Sequence, residues 1–251
     1  MSIKSMVNKA LSTRGFEIRR TLESKALVDA IAPDDLETIS FVKPYTLTSR
    51  ERLVAACDAV RYVDRYRIPG AIVECGVWAG GSMMAMARTL MSVGDTKRRL
   101  YLFDTFEGMS APTDDDVDLR GDLAANQLQA VVKEDTNIWA YKPLDQVKQN
   151  LARTNYPTEL ITYVQGKVED TLPQNAPGQI ALLRLDTDWY ESTRHELEHL
   201  IHRVSPNGIL IIDDYGHWQG ARKAVDEWLT EYERPVFLSR IDYTGRIAVL
   251  P

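Results

Sequence analysis

The sequence predicts an α/β fold in which a mostly parallel sheet of about seven strands is wrapped by helices. Short apolar runs alternate with segments of helical periodicity from about residue 49 onward, an order typical of successive strand and helix units. Neither an internal repeat nor a low-complexity tract interrupts this order. The 251 residues, 44% of them hydrophobic, are enough to bury the core of one large domain.

The first predicted element is a helix in TLTSRERLVAACDAVRYVDRY. Its apolar residues recur at helical intervals, and Thr48 and Glu51 have the spacing of a capping box. The helix ends before Pro69 and Gly70. The later elements, in chain order, are AIVECGV (strand), GSMMAMARTLMSV (helix), RLYLFDTF (strand), DQVKQNLART (helix), LITYVQGKV (strand), IALLRLDTD (strand), ESTRHELEHLIHRV (helix), GILIIDDY (strand), GARKAVDEWLTEY (helix), PVFLSRI (strand) and GRIAVLP (strand).

Two segments stand outside this alternation. Residues 1–45 are expected to be an N-terminal helical arm or lid, lying over an active site, in a dimer contact or partly disordered, and residues 46–251 the main domain. The basic, amphipathic start of the arm makes a homo-oligomer the expectation. Within the domain, an insertion at about residues 105–143 contains the acidic stretch APTDDDVDLRGD. So long a connection is either a solvated loop or a lid, and its position after a strand end favours the lid.

The composition excludes several classes of partner. A formal net charge of −6 gives no long-range attraction for a phosphate backbone, so we expect no nucleic-acid binding. The spacing of Cys57 and Cys75 suits neither a zinc site nor a disulfide framework. No apolar run approaches the length of a membrane span, and the first residues lack the apolar stretch of a secretory signal. A reduced, cytoplasmic location is therefore predicted.

A glycine-rich turn joins the first predicted strand to the next helix. The stretch VECGVWAGGS contains the candidate residues Glu74, Gly76, Gly80, Gly81 and Ser82. Its spacing matches neither the dinucleotide fingerprint nor a phosphate loop. At the end of the following strand, Asp104 stands where an acid can accept hydrogen bonds from both hydroxyls of a ribose. The combination predicts a nucleoside bound without a pyrophosphate, as in S-adenosylmethionine; a purely structural turn is the alternative.

Two later strands each end in a pair of acids. Asp186 and Asp188 end ALLRLDTD, and Asp213 and Asp214 end ILIIDD. Strand ends of a parallel sheet form one ligand-binding edge, so we expect these four carboxylates to converge there. A divalent cation would relieve their repulsion, and ligation by oxygen alone favours Mg²⁺ over zinc. The alternative is that the acids cap the following helices and face solvent.

The four histidines fall into two groups. His195, His199 and His202 recur along one predicted helix, and the neighbouring Glu196 and Glu198 indicate an ordinary exposed helix rather than a metal stripe. His217 directly follows the second acidic pair and its tyrosine and glycine. It could position substrate, assist proton transfer or have a structural role only.

Several motifs together resemble one known family. TSRERL, IPGAIVECGVWAGGSM, LFDTFEGM, LLRLDTDWYEST and GILIIDDYGHWQGARKAVDEW, in this order, are similar to the macrocin O-methyltransferase family, over about residues 46–232. The resemblance implies the class I methyltransferase fold, which is Rossmann-like, with a seven-stranded, mostly parallel sheet, helices on both faces and an antiparallel final strand. It also implies S-adenosylmethionine as the methyl donor and Mg²⁺ that chelates two oxygens of a sugar diol.

The resemblance also implies roles for particular residues. The turn at residues 74–82 and Asp104 would hold the methionine and ribose parts of the donor. Asp188 would be the general base, although Thr187 stands where relatives often have a glycine. The remaining expected roles are adenine binding by Gln165 and Gly166, metal ligation by Asp186, Asp213 and Asp214, and substrate contact by Tyr190 and His217.

The predicted function is Mg²⁺-dependent O-methylation of a sugar hydroxyl on a glycosylated natural product or glycan. A catechol-type O-methyltransferase is the nearest alternative, because it also chelates a diol through Mg²⁺. A noncatalytic nucleoside-binding scaffold is a further alternative, but it has no reason to retain four repelling acids at one edge. A phosphate-transfer enzyme would need the phosphate loop that the sequence lacks.

Overall fold

The structure, a computed structural model, describes residues 31–130 and 139–251. Compactness divides the chain into two units, residues 1–36 and residues 37–251. All the predicted site residues belong to the second unit. Residues 1–30, most of the expected arm and the basis for expecting self-association, lie outside the described residues, as do residues 131–138 of the insertion.

The described elements alternate as the sequence predicts. The helices are α1 (Pro33–Val42), α2 (Arg50–Arg65), α3 (Gly81–Val93), α4 (Ala124–Gln129), α5 (Leu144–Ala152), α6 (Val168–Thr171), α7 (Tyr190–Leu200) and α8 (Gln219–Glu231). Short 3-10 turns occur at Lys43–Tyr45, Thr158–Leu160 and Ile201–Arg203. The strands are β1 (Ala71–Cys75), β2 (Leu100–Asp104), β3 (Ile161–Gln165), β4 (Ile180–Leu185), β5 (Val204–Ile212), β6 (Ser239–Arg240) and β7 (Arg246–Val249).

The strands form one sheet in the order β3-β2-β1-β4-β5-β7-β6. The pairs among β1 to β5 are parallel, whereas β7 runs antiparallel to both of its neighbours. This confirms the predicted seven-stranded, mostly parallel sheet with an antiparallel final strand. The order reverses between β1 and β4, which places a topological switch point, the usual ligand-binding position of such sheets, at the ends of these two strands.

The central strands are buried on both faces. Every residue of β1 and every residue of β4 is buried, as expected for parallel strands that are covered by helices on either side. The fully buried residues of β4 include a charged one, Arg184. Because a buried guanidinium is costly without partners, its surroundings identify a polar site in an otherwise apolar layer.

Two local predictions were wrong. Helix α2 begins after Ser49, whose hydroxyl accepts a hydrogen bond from the amide of Arg52 at 3.2 Å, so Ser49 and not Thr48 is the N-cap. The Thr48 hydroxyl instead accepts a hydrogen bond from Arg184 at 3.0 Å. Of the strand predicted in PVFLSRI, only Ser239–Arg240 pairs with β7; Val236 and Leu238 pack against the core without joining the sheet, and Phe237 is exposed.

The prediction that helix α7 is an ordinary exposed helix is wrong for one of its faces. Glu198 is exposed, but Glu196 is 0% exposed, so treating both acids as solvated was wrong. The helix packs this glutamate against the sheet beside Leu197 and Leu200. Because its carboxyl lies beneath the ends of β1 and β4, it becomes relevant to the site described below.

The acidic stretch of the insertion is partly packed into the domain, although Asp114, Asp115 and Asp122 are exposed. Asp116 is 0% exposed and accepts hydrogen bonds from the amides of Thr113 at 2.7 Å and Tyr190 at 2.8 Å. Asp118 forms an isolated bridge with Trp218. The lid role stays a prediction, but these contacts attach the insertion to the segments that follow β4 and β5.

Two further expectations concern the described residues only. Cys57 and Cys75 are both buried and free of disulfide bonds, in agreement with the sequence. Within residues 31–130 and 139–251, no helix combines the length and the apolar character needed to cross a membrane.

Replacing Gly76 by alanine is predicted to destabilise the protein. Gly76 has φ +79°, and a Cβ there would overlap the backbone carbonyl of Asp186. The left-handed conformation alone costs roughly 1–2 kcal/mol for a residue with a Cβ, and the overlap adds to it. We expect Gly76→Ala to lower the free energy of unfolding, measured by denaturant titration, by more than about 2 kcal/mol. Gly178→Ala, where a Cβ meets nothing within 4 Å, is the control; equal stabilities would contradict the account.

Candidate active site

A cavity opens at the carboxyl edge of the sheet. It is lined by the turn after β1, the end of β2 and the residues that follow β4 and β5. Its volume of about 310 Å³ lies at the lower end of the ~300–1,000 Å³ of small-molecule sites. This is the edge at which open parallel sheets bind their ligands.

Most of the predicted site residues line this cavity. Those that do are Gly76, Gly81, Ser82, Asp104, Gly166, Asp186, Asp188, Asp213, Asp214 and His217. The structure does not bring Glu74, Gly80, Gln165 or Tyr190 to the cavity wall. Glu74 lies buried beneath it, and the Tyr190 hydroxyl donates to Glu227 at 2.7 Å.

The acids at the ends of β4 and β5 converge. One carboxylate oxygen from each of Asp186, Asp213 and Asp214 lies within 4.8 Å of the other two. Asp213 is 3% exposed and Asp214 8% exposed, which excludes the alternative of solvent-facing caps for this pair. Asp188 lies beside Asp186 and Asp214 and interacts electrostatically with both, so negative charge is crowded at this point.

The pKa values of two of these acids reflect the crowding. Burial, followed by the charge of Asp186, raises the pKa of Asp188 to about 7. Burial, followed by the charge of Asp188, raises the pKa of Asp214 well above its usual range. Among the described residues, neither of the two forms an ion pair with an arginine or lysine. A carboxyl group that titrates near neutral pH is suited to act as a general base.

A buried arginine that sequence reasoning missed binds the cluster. The NH1 of Arg184 lies 2.6 Å from Glu74 Oε1 and 2.7 Å from Asp186 Oδ2, and its NH2 lies 2.5 Å from Asp213 Oδ1. Burial raises the pKa of Glu74 to about 7, although Arg184 opposes this. The guanidinium therefore connects the ends of β1, β4 and β5. The sequence contained a signal for this arginine, because a single charged residue stands inside the apolar run ALLRL. A buried strand tolerates such a charge only when acidic partners pair with it.

A second guanidinium reaches the cluster from α2. Arg52 NH1 forms an ion pair with Asp213 Oδ2, and Arg52 Nε lies 3.0 Å from Asp242 Oδ2. The Ser49 hydroxyl donates to the same Asp242 oxygen at 2.6 Å, and the Gly245 amide donates to Asp242 Oδ1 at 2.7 Å. These bonds attach the start of α2 to the turn between β6 and β7. Asp213 is thus held by a guanidinium on each of its oxygens.

The glycine turn is held in place by Asp104. One oxygen of Asp104 accepts from the amides of Val77 at 2.6 Å and Trp78 at 3.1 Å, and the other accepts from the amide of Phe106 at 2.7 Å. Burial raises the pKa of Asp104, while these amide bonds lower it. The carboxylate therefore fixes the backbone of the turn, including Trp78 with φ +47°. Contact of the same carboxylate with a ribose stays a prediction.

The start of α3 faces the cavity. Gly81 and Ser82 belong to its first turn and line the wall. The first amides of a helix have no partner within the helix and favour polar or anionic groups. The α-carboxylate of an amino acid is one such group, so this end of the cavity is suited to the methionine part of the predicted donor.

An aromatic wall, formed by Trp189, Trp218, His217 and Tyr243, lines the cavity beside the acids. The rings of Trp189 and Trp218 meet at 5.0 Å and 75°, and those of Trp218 and His217 at 5.0 Å and 89°. Trp218 also lies beside the Asp188 carboxyl. Burial lowers the pKa of His217, which keeps its ring neutral at pH 7. The sequence signal was available, because both tryptophans closely follow strand-end acids.

The donor set fits a divalent cation. Asp186, Asp213 and Asp214 offer oxygen atoms alone within one small volume, and such ligands suit Mg²⁺, Mn²⁺ or Ca²⁺ better than zinc. Burial and the charges of neighbouring carboxylates raise the pKa values of Asp188 and Asp214 even with Arg52 and Arg184 nearby. A dication would supply further positive charge.

The family relationship follows from comparison with known proteins. The family model described as Macrocin-O-methyltransferase (TylF) matches residues 33–248. The chain belongs to this family. It is therefore an O-methyltransferase, which confirms the resemblance read from the sequence motifs.

Named relatives modify sugars of natural products. The 8-demethyl-8-(2,3-dimethoxy-alpha-L-rhamnosyl)-tetracenomycin-C 4'-O-methyltransferase of Streptomyces olivaceus is 36% identical over 201 residues, which cover 80% of this chain and 74% of that enzyme. The Mycinamicin III 3''-O-methyltransferase of Micromonospora griseorubida is 31% identical over 202 residues, which cover 80% of this chain and 76% of that enzyme.

Solved structures share the fold. The O-methyltransferase NovP superposes with a TM-score of 0.71 at 28% identity, and the match covers 82% of either chain. An O-methyltransferase from Bacillus cereus in complex with SAH superposes with a TM-score of 0.54, covering 98% of this chain and 97% of that one. At 15% identity, the second likeness concerns the fold alone.

Removing the Arg184 guanidinium is predicted to cost far more stability than removing an exposed one. Arg184→Met leaves buried carboxylates without their counter-ion, so we expect the free energy of unfolding at pH 7 to fall by about 3–5 kcal/mol. The matched control is Arg194→Met, whose pair with Glu231 lies at the surface and should change stability by less than about 1 kcal/mol. Chemical denaturation measures both, and similar losses for the two variants would contradict the assignment of Arg184.

Proposed function

We propose that the protein transfers a methyl group from S-adenosylmethionine to a sugar hydroxyl of a glycosylated natural product, with Mg²⁺ as the activating ion. The observation that carries the proposal is the convergence of Asp186, Asp213 and Asp214 beside Asp188 in one cavity. Three oxygen ligands next to a carboxyl with a pKa of about 7 combine a cation site with a proton acceptor.

The other end of the same cavity supports the donor. The turn fixed by Asp104 and the first residues of α3 line it, together with Gly166 after β3. A backbone of this kind can approach a nucleoside and the carboxylate of an amino acid without needing a phosphate. The Bacillus cereus enzyme of the same fold is described with SAH, the form that S-adenosylmethionine takes after giving up its methyl group.

The proposed chemistry divides the work between the cation and the protein. When bound by the three aspartates, the cation supplies positive charge that lowers the pKa of an acceptor hydroxyl. Asp188 accepts the proton of that hydroxyl. The hydroxyl oxygen forms a bond to the methyl carbon, and the bond between that carbon and the donor sulfur breaks. Trp218 lies beside the Asp188 carboxyl, which gives the base a neighbouring group before substrate arrives.

The aromatic wall supports a sugar as the acceptor. Indole rings present apolar faces to the C–H groups of a sugar, while the neighbouring acids address its hydroxyls. The Streptomyces olivaceus and Micromonospora griseorubida relatives are named for the methylation of glycosylated natural products. A panel of rhamnosylated and other deoxysugar-bearing polyketides, with catechols as the comparison, tests the acceptor class; exclusive methylation of catechols would refute a sugar acceptor.

Asp188→Asn is predicted to remove the base and leave binding intact. Because the amide cannot accept the hydroxyl proton, the turnover number should fall about 10²- to 10⁴-fold. Calorimetric titration should show S-adenosylmethionine and Mg²⁺ bound as in the unchanged protein. Turnover within a few-fold of the unchanged protein would remove Asp188 from this role.

Asp214→Asn is predicted to weaken the cation site. Replacing one of three carboxylate ligands removes a negative charge, so a higher Mg²⁺ concentration, by about 10-fold or more, should be needed for half-maximal activity. Glu198→Gln, an equivalent change at an exposed position, is the control. If the unchanged protein stays active after a chelator has removed all divalent metal, the metal requirement is refuted, whatever the two variants show.

A further inference from the structure

We infer that Thr187 and Glu196 form a positioning pair that fixes residues 186–189, here called the 186–189 turn, and with them the proposed metal ligand Asp186 and base Asp188. The inference rests on the proposed function for the roles of the two aspartates. It assigns a role to a buried acid that the chemistry above does not use.

The pair is a direct contact between the turn and helix α7. The Thr187 hydroxyl donates to Glu196 Oε2 at 3.2 Å. Glu196 is 0% exposed, and the Cys75 thiol at the end of β1 lies near its carboxyl. One side chain thus connects the end of β1, the turn after β4 and the helix beneath both.

Glu196 differs from the acids of the cluster in its surroundings. Burial raises its pKa well above the usual range. Within the described residues its Oε1 receives no N–H or O–H donor. A buried acid retained under these conditions is costly, and the bond to Thr187 is the contact through which it acts on the site.

The turn needs a support of this kind. Asp188 adopts φ +67°, a left-handed conformation that is unfavourable for a residue with a Cβ. One bond lies within the turn, from the amide of Trp189 to the Thr187 carbonyl at 2.8 Å, and the Ser192 hydroxyl of α7 donates to the same oxygen at 3.4 Å. The Thr187 hydroxyl adds an anchor outside the turn, which a glycine at this position could not provide.

The contact between Thr187 and Glu196 would fix the backbone between Asp186 and Asp188. The Asp186 amide is already bound to the Cys75 carbonyl at 2.8 Å, so the peptide before Thr187 is attached to β1. The Thr187 side chain attaches the next residue to α7. Asp186 and Asp188 flank that residue, and their carboxyl positions depend on its backbone. Supporting contacts that orient metal ligands commonly change metal affinity about 10- to 100-fold when removed.

Hydrogen exchange of the full-length protein tests the anchor directly. Thr187→Val removes the hydroxyl at nearly constant shape, and Glu196→Leu removes its partner. Both should speed amide exchange in the peptide that covers the 186–189 turn. Thr187→Ser and Glu196→Gln restore a donor and an acceptor and should retain most of the protection. Thr230→Val, the same chemical change at an exposed hydroxyl on α8, should leave the turn unaffected.

Mn²⁺ affinity, measured by electron paramagnetic resonance, tests the effect on the site without an acceptor. Thr187→Val and Glu196→Leu should each weaken Mn²⁺ binding about 10-fold or more. The double variant should weaken it no further, because both changes break one contact. Serine and glutamine at these positions should restore binding to within about 3-fold of the unchanged protein, a rescue expected only if the hydrogen bond itself matters.

Three results would overturn the inference. The first is amide exchange in the turn that Thr187→Val leaves unchanged. The second is an unchanged Mn²⁺ affinity in a variant whose turn exchanges faster. The third is a double variant in which the losses of Mn²⁺ affinity of the two single variants multiply. Failure of the proposed function is a different result, because the unchanged protein would then bind no Mn²⁺ at all. That result would also overturn the inference, since Asp186 would have no ion to hold.

Discussion

The buried guanidinium of Arg184 is the interaction on which the architecture of the site depends. It contacts carboxylates that belong to the ends of three adjacent strands, β1, β4 and β5. Without it, these ends would bring like charges together in a region of low dielectric constant, where repulsion is strongest. With it, the central strands can terminate in acids and still pack as neighbours. The acidic edge is possible because its charge is compensated from within the sheet.

The arginines compensate only part of the negative charge of the cluster, and the uncompensated part determines the chemistry of the site. Arg184 and Arg52 bind the two oxygens of Asp213, whereas burial and neighbouring carboxylates raise the pKa values of Asp188 and Asp214. The remaining negative charge faces the cavity. Because both guanidiniums are held by other acids as well, they preorganise the cluster rather than neutralise it completely. A cation and a proton-releasing hydroxyl are the groups that such a surface stabilises.

The fold was predictable because the signals for it are local and repeated. Apolar runs bounded by glycine and proline indicate the strands, and the parallel direction of β1 to β5 follows from alternation with helices. The strand-end acids were predictable for the same reason, since parallel strands share one edge. By contrast, Ser49 and Thr48 are adjacent candidates for the same cap, and only the competing bond from Arg184 to Thr48 decides between them. Tertiary contacts of this kind are not encoded in spacing.

Sequence reasoning failed where a polar residue is buried. Glu196 lies on a helix with charged neighbours and so matches the pattern of a solvated residue, whereas Arg184 lies in an apolar run that indicates burial but does not identify its partners in distant segments. The same applies to Arg52, whose two acidic partners are 161 and 190 residues away. Tyr190 and Gln165 illustrate the opposite case, because proximity to the site in sequence did not bring them to the cavity wall.

Anomalous diffraction from crystals grown with SAH and Mn²⁺ tests the central claim most directly. The account predicts a single strong peak bounded by the carboxylates of Asp186, Asp213 and Asp214, with the Asp188 carboxyl turned toward the space between the ion and the donor sulfur. A map without a peak at that position, in a protein whose Arg52 and Arg184 still occupy both oxygens of Asp213, would contradict it.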